Sequence, residues 1–273
     1  MVLDSHTSKI YEILSTARIL KIIGESHRNP LQALVKSDKI RCSYKDNRKE
    51  TTLPLKIIEL KETITASNDR DAEVLRTELK AQKTLLVNLM ASPGAGKTTL
   101  LERTIRDLGK QYRIAVMEAD VDSDVDAKRV EMLGAKAVQA HTGGMCNMDA
   151  GMTRRALEEL NAPDADLVVL ENVGNLICPA EFDTGAGKNV MLLSVPEGDD
   201  KPLKYPLMFT TSDVLIITKT DVMPYFDFDL ARCKERAKKL NPRIEIFAVS
   251  SKTGDGMDAW EAWLSNAIDS WKH

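Results

Sequence analysis

The chain has 273 residues, 43% hydrophobic and 29% charged, the balance of a globular protein that buries a core. With 38 basic against 41 acidic residues the net charge is −3, so no global basic field invites nucleic acid. No apolar run approaches the roughly 20 residues that span a bilayer. Neither a secretory signal at "MVLDSHTSKIYEIL" nor a membrane partner is expected. Cys42, Cys146, Cys178 and Cys233 lie far apart with no CxxC pair. That argues against a disulfide framework and for a reducing, cytoplasmic compartment.

In chain order, residues 1–55 form an extension with one stretch at helical spacing, "KIYEILSTARILKIIG", followed by charged, irregular sequence. Residues 56–83 lead into the main domain, and within them "NDRDAEVLRTELKAQ" (68–82) reads as a helix capped by Asn68 or Asp69. From residue 84 onward strands and helices alternate. "TLLVNLM", "YRIAVMEA", "AKAVQAH", "ADLVVLEN", "NVMLLSV", "DVLIITK" and "IEIFAVS" are strand candidates. Helices are expected at "GKTTLLERTIRDLG", "VDAKRVEMLG", "DAGMTRRALEEL", "FDLARCKERAKKL" and "MDAWEAWLSNAI". The alternation predicts an α/β fold, a doubly wound and mainly parallel sheet over residues 84–273 with a partly helical N-terminal extension.

"ASPGAGKTT" (91–99) follows the first strand and opens the first of these helices, the context that a phosphate loop needs. Gly94 and Gly96 allow the backbone N–H groups to converge on one anion, and the helix N-terminus adds its positive end. Gly94, Ala95, Gly96, Lys97, Thr98 and Thr99 are the expected phosphate contacts. Lys97 is expected to reach the β- and γ-phosphates, and the Thr98 hydroxyl to bind Mg²⁺. The first motif position is Ala91 rather than glycine.

"TKTD" (218–221) closes a later strand, and "VSSKTG" (249–254) follows. Asp221 can accept from the two N–H donors of guanine, which adenine cannot reproduce, and the Lys219 stem can cover the base. Ser251 and Lys252 are expected to offer backbone N–H groups to the guanine oxygen. Together they favour GTP and GDP over ATP, and so weigh against a phosphate-loop kinase acting on a small molecule. "EADVDSDVD" (118–126) and "LENVG" (170–174) supply carboxylates at strand ends. Asp120 is expected near Mg²⁺ and the attacking water, and Glu171 as the second carboxylate. Gly174 is free to let its N–H follow the γ-phosphate. Lys97, Asp120 and Glu171 form the expected catalytic set; Asp122, Asp124 and Asp126 are weaker candidates.

"HTGGMCNMDA" (141–150) places Cys146 in a glycine-containing turn. On the residues alone Cys146 is a metal ligand, a catalytic thiol or a small hydrophobe. Asn147 is a poor ligand, a helix cap or the replacement of a histidine, with the cap favoured because asparagine is among the best N-caps.

"NLMASPGAGKTTLLERT", "TGGMCNMDA", "ENVGNLICPAEFD", "EGDDKPLKYP", "TKTDVMPYFDFD" and "VSSKTGDGMDAWEAWL" stand in this order from about residue 56 to the C-terminus. This set resembles the HypB family, GTPases that insert nickel into [NiFe] hydrogenases. The resemblance implies a SIMIBI-type phosphate-loop fold that dimerises across the nucleotide face with GTP. It implies that Cys146 and Cys178 are thiolate ligands at that interface, for Ni²⁺ or Zn²⁺. The implied partners are a second copy of the chain, a small zinc-containing nickel chaperone of the HypA type and the hydrogenase large subunit. The family commonly carries Cys-His where this chain has Cys146-Asn147, so His141 is a candidate for the missing nitrogen ligand. Cys42 and Cys233 match no ligand position. The altered turn keeps open a different nickel enzyme as client, such as a carbon monoxide dehydrogenase.

Overall fold

The computed structural model describes residues 60–120 and 132–273, the side chains of 60–64 and 120 excepted. The expected extension over 1–55, with Cys42, lies outside them, as do Asp122, Asp124, Asp126 and most of the helix expected at "VDAKRVEMLG". Elements are numbered here among the described residues.

Helix α1 (Leu60–Ala81) precedes strand β1 (Leu85–Ala91), which the phosphate loop joins to α2 (Lys97–Leu108). Then come β2 (Ile114–Asp120), β3 (Lys136–His141), α3 (Ala150–Leu160), β4 (Leu167–Glu171) and the one-turn α4 (Cys178–Glu181). Strand β5 (Lys188–Ser194) leads through α5 (Lys201–Lys204) and α6 (Pro206–Thr211) to β6 (Val214–Thr218). The chain finishes with α7 (Leu230–Leu240), β7 (Glu245–Ala248) and α8 (Met257–Lys272).

All seven expected strands form one sheet in the order β3-β2-β4-β1-β5-β6-β7. Every pairing is parallel, so "mainly parallel" becomes wholly parallel among the described residues. Central β1 is buried at all seven positions, as the continuous apolar run "LLVNLMA" requires of a strand covered on both faces. Its alternate residues feed different cores. Leu85, Val87, Leu89 and Ala91 pack with Leu101 and Ile105 of α2 and Trp260 and Leu264 of α8. On the opposite face Leu86 joins Leu75 and Leu79 of α1 and Leu160 of α3, while Met90 joins Met208 and Phe209 of α6.

Two expectations about helix starts are corrected. Helix α1 is already helical at Leu60 and runs through Asn68 and Asp69, so neither caps it. The buried Asn68 side chain instead donates to the Asp183 carbonyl at 2.9 Å and accepts from the Ala150 amide at 2.9 Å, tying the cysteine turn to the segment after α4. Nor does Asn147 cap α3. That role belongs to Asp149, whose carboxylate accepts from the Met152 amide at 2.7 Å.

With β1 between β4 and β5, the loops leaving the carboxyl ends of β1, β4 and β6 converge. That is where open α/β sheets hold their ligands. The phosphate loop, the "ENVG" segment and "TKTD" all lie there.

Candidate functional site

The phosphate loop occupies Ser92–Gly96 between β1 and α2. Ala91, the departure from the motif, is still a strand residue and fully buried, so the glycine it replaces has no left-handed conformation to supply. Gly96 does need its glycine: φ is +99° at the start of α2, a region L side chains rarely adopt. Within the loop the Ala95 amide bonds the Ser92 carbonyl at 3.2 Å.

At the first turn of α2 the Thr98 hydroxyl donates to Glu171 Oε1 at 2.9 Å, and Lys97 Nζ stands 3.9 Å from the same oxygen. Glu171 is buried at the end of β4. The structure therefore brings together Lys97, Thr98 and Glu171. A hydroxyl and a carboxylate are hard oxygen donors, the set that suits Mg²⁺. Asp120 ends β2, with its side chain outside the described residues. Buried Glu118, on β2, is paired in register with Glu171 and was not singled out from the sequence. It puts a second carboxylate on the same face of the sheet.

The "TKTD" segment is tied to the phosphate loop. The Thr218 hydroxyl donates to the Ala95 carbonyl at 2.6 Å, and Lys219 Nζ donates to the Gly94 carbonyl at 2.7 Å. Lys219 holds φ +60° and ψ +40°, a left-handed conformation that costs a non-glycine residue free energy and that surrounding contacts must maintain. Its Cε lies 3.9 Å from where a Cβ on Gly96 would sit, so the stem runs along the phosphate loop. Asp221 Oδ1 accepts from the Ser250 hydroxyl at 2.8 Å. Ser250 is wholly buried, and its oxygen also accepts from the Thr253 amide at 3.2 Å. Ser251 and Lys252 lie inside the turn closed by the Gly254 amide on the Ser250 carbonyl at 2.8 Å. Sequence reasoning missed Thr218 and Ser250. Both sit inside the motifs already quoted, and a hydroxyl one position from a candidate binding residue was their signal.

Gly174 packs directly on the phosphate loop: a Cβ there would lie 2.9 Å from Pro93 Cγ and 3.2 Å from its nitrogen. Four residues further on, Cys178 opens α4. Its sulfur is in disulfide contact with that of Cys146, with Cα atoms 6.1 Å apart. The two cysteines singled out by resemblance thus meet within one protomer. Cys146 is exposed and Cys178 half-buried, with exposed Met145 and Ile177 beside them. Asn175 Nδ2 donates to Cys178 Sγ at 3.4 Å. Asn147 is buried, its amide nitrogen donating to the Met148 carbonyl at 3.3 Å and its side-chain oxygen 3.9 Å from Cys146 Sγ. His141 is exposed at the end of β3. Among the described residues no three His, Cys, Asp or Glu side chains are grouped to hold a metal, so His141 does not complete a three-ligand set with the cysteine pair. Cys233, on α7, is buried in the core with Met208 and Phe209 of α6, and burial pushes its thiol up to about 12. That fits a cysteine that matches no ligand position.

Residues 85–248 match the family model for the CobW/HypB/UreG nucleotide-binding domain. The hydrogenase maturation factor HypB of Azotobacter chroococcum is 45% identical over 209 residues, which cover 77% of this chain and 68% of that protein. The chain belongs to the HypB family of hydrogenase maturation factors. Among solved structures, HypB from Helicobacter pylori in complex with nickel is 38% identical with a TM-score of 0.71, covering 75% of this chain and 96% of that one. HypB from Archaeoglobus fulgidus is 40% identical with a TM-score of 0.70, covering 74% and 99%. In this HypB-family chain, as the resemblance implied, the fold is that of a phosphate-loop nucleotide-binding protein. No helix among the described residues is long and apolar enough to cross a membrane.

Proposed function

We propose that this protein is a cytoplasmic GTP-hydrolysing metallochaperone that carries nickel on Cys146 and Cys178 and assists its insertion into a [NiFe] hydrogenase. The observation that carries the proposal is the convergence of three groups of residues at one sheet edge. The segment "ENVGNLIC" sets Glu171 against the Thr98 hydroxyl, packs Gly174 on the phosphate loop and ends at Cys178 of the cysteine pair. The relative solved with nickel supports the choice of cargo.

Gly94 to Thr99 would cradle the phosphates, with Lys97 compensating their charge. Thr98 and Glu171, with Asp120 beside them, would hold Mg²⁺, which when bound neutralises charge developing on the phosphates. Asp120 would orient the attacking water. Asp221 and Lys219 would select guanine, with Ser251 and Lys252 at its oxygen. The cysteine thiolates suit Ni²⁺ or Zn²⁺, and two protomers meeting across the nucleotide face would offer four. His141 would join only where the partner protomer brings it near. By family, the partners are a second copy, a small zinc-containing nickel chaperone of the HypA type and the hydrogenase large subunit.

The test is a pair of titrations on the full chain. GTP should displace a fluorescent GDP analogue far more effectively than ATP, and stoichiometric nickel binding should survive His141→Ala but not Cys146→Ala. Equal competition by ATP, or nickel binding indifferent to Cys146→Ala, would remove the proposal.

A further inference from the structure

We propose that Asn172 is a positioning residue that couples the nucleotide side of the site to the cysteine pair. It holds the Cys146 turn to the sheet while Cys178 rides on the segment that touches the phosphate loop. The inference rests on the GTP-hydrolysing metallochaperone proposed above and on its nucleotide state gating the site at Cys146 and Cys178.

Asn172 follows Glu171 and is 1% exposed. Its amide N–H donates to the Leu89 carbonyl at 3.0 Å, continuing the pairing of β4 with β1. Its side-chain oxygen accepts from two amides, Val173 at 2.9 Å and Met148 at 3.3 Å. Its side-chain nitrogen donates to Asn88 Oδ1 at 3.0 Å, and Asn88 Nδ2 donates in turn to Asn189 Oδ1 at 3.1 Å. A carboxamide carries two acceptor and two donor sites, and Asn172 uses both acceptors and one donor. Asn88 is buried in β1, among apolar neighbours, where an unpaired amide is costly. The three asparagines form a polar rung across β4, β1 and β5 whose outer end reaches the cysteine turn.

The two cysteines are consequently attached in different ways. Met148, two residues beyond Cys146, is bonded through Asn172 to the middle of the sheet. Cys178 is bonded instead to Asn175, which also accepts from the Ile177 amide at 2.7 Å. Between Asn172 and Asn175 lies Gly174, packed on Pro93 of the phosphate loop. A displacement of Gly174 toward a γ-phosphate carries Asn175 and Cys178 with it, while Asn172 keeps the Cys146 turn in place. The separation of the sulfurs then changes with nucleotide. Without the Met148 bond the turn is released, and the same displacement no longer sets that separation.

The experiment reads sulfur separation directly. The full chain is equilibrated at a fixed ratio of reduced to oxidised glutathione, with GDP or with a non-hydrolysable GTP analogue and Mg²⁺. The fraction of Cys146–Cys178 disulfide is then scored by peptide mass mapping. Two protein thiols reduce one oxidised glutathione to two reduced molecules, so the fraction reports the effective concentration of one thiol at the other. The wild type is expected to differ between nucleotides by about fivefold or more in that equilibrium. Asn172→Ala is expected to bring the ratio close to one while still binding the analogue. Asn88→Thr loosens the same rung but leaves the Asn172 acceptor, Val173 and Met148 in place, and it should keep most of the ratio, which a general loosening of the fold would not allow. If Asn172→Ala does not fold, Asn172→Ser, whose side chain is one bond too short to span to the Met148 amide, carries the same expectation. A wild-type ratio in a folded Ala or Ser variant overturns the inference alone. A ratio of one in the wild type overturns it together with the nucleotide-gated reading.

Discussion

Asp221 presents one carboxylate oxygen to the buried Ser250 hydroxyl, an arrangement that fixes its rotamer and orients the group for a ligand. On the guanine reading, both N–H donors of the base would pair with it. Asp221→Asn replaces an acceptor by a donor and should lower GTP affinity by roughly 10²–10⁴, since two charge-assisted bonds are worth about 1.5–3 kcal/mol each. Xanthosine triphosphate, whose carbonyl replaces the guanine amine, should bind the variant better than GTP does. Nucleotide competition measures both, and undiminished GTP binding by the variant would place the base elsewhere. At this scale the sequence pointed to side chains that the fold does bring together, Lys97 and Thr98 with Glu171 and Cys146 with Cys178. It was not legible where a role depends on which side chain the fold brings near. Asn147 and Asp149 are both good capping residues, and only the exact start of α3 decides between them. Asn172 and Asn88 are 84 residues apart, a pairing no local pattern announces.

The strands were readable because buried parallel strands are short apolar runs bounded by turn residues, and the seven runs expected are the seven observed. The one-turn helices Cys178–Glu181, Lys201–Lys204 and Pro206–Thr211 were not, because each is too short to show a helical period. Each has proline in its first turn, and tertiary packing rather than propensity holds it. One acidic residue locks three elements together at the opposite sheet edge. Asp166, just before β4, accepts from the Arg113 amide at 2.8 Å and the Arg113 guanidinium at 3.2 Å, and from Lys272 of α8 at 3.0 Å. Burial alone would raise its pKa, but the Arg113 and Lys272 contacts hold it well below the usual carboxylate range. A depressed folded-state pKa means that this stabilisation is complete above about pH 4 and is lost as pH falls toward the lower folded value. Asp166→Asn should therefore cost about 1–3 kcal/mol in denaturant unfolding at pH 7, and clearly less at pH 3. A difference that stays constant between the two pH values would show that ionisation of Asp166 adds nothing.

Across the whole molecule, the sheet order places the phosphate loop, the carboxylate Glu171 and the guanine-type motif along one edge, and the cysteine pair follows from the same segment. The sequence carried this design in outline because each motif sits at a strand end. It left open the geometry between motifs, notably that Cys146 and Cys178 pair within one protomer while His141 stands apart from them. A pair of thiolates from one protomer leaves a tetrahedral or square-planar metal two ligands short, which a second copy would supply. On the proposed function, nucleotide and metal would share one equilibrium, and thermodynamic linkage would then require each to change the affinity of the other by the same factor. The most direct test is the nickel affinity of the reduced full chain, measured by competition with a chromophoric chelator. It is taken once with GDP and once with a non-hydrolysable GTP analogue and Mg²⁺. The account predicts affinities that differ by about fivefold or more; equal affinities in the two states would contradict it.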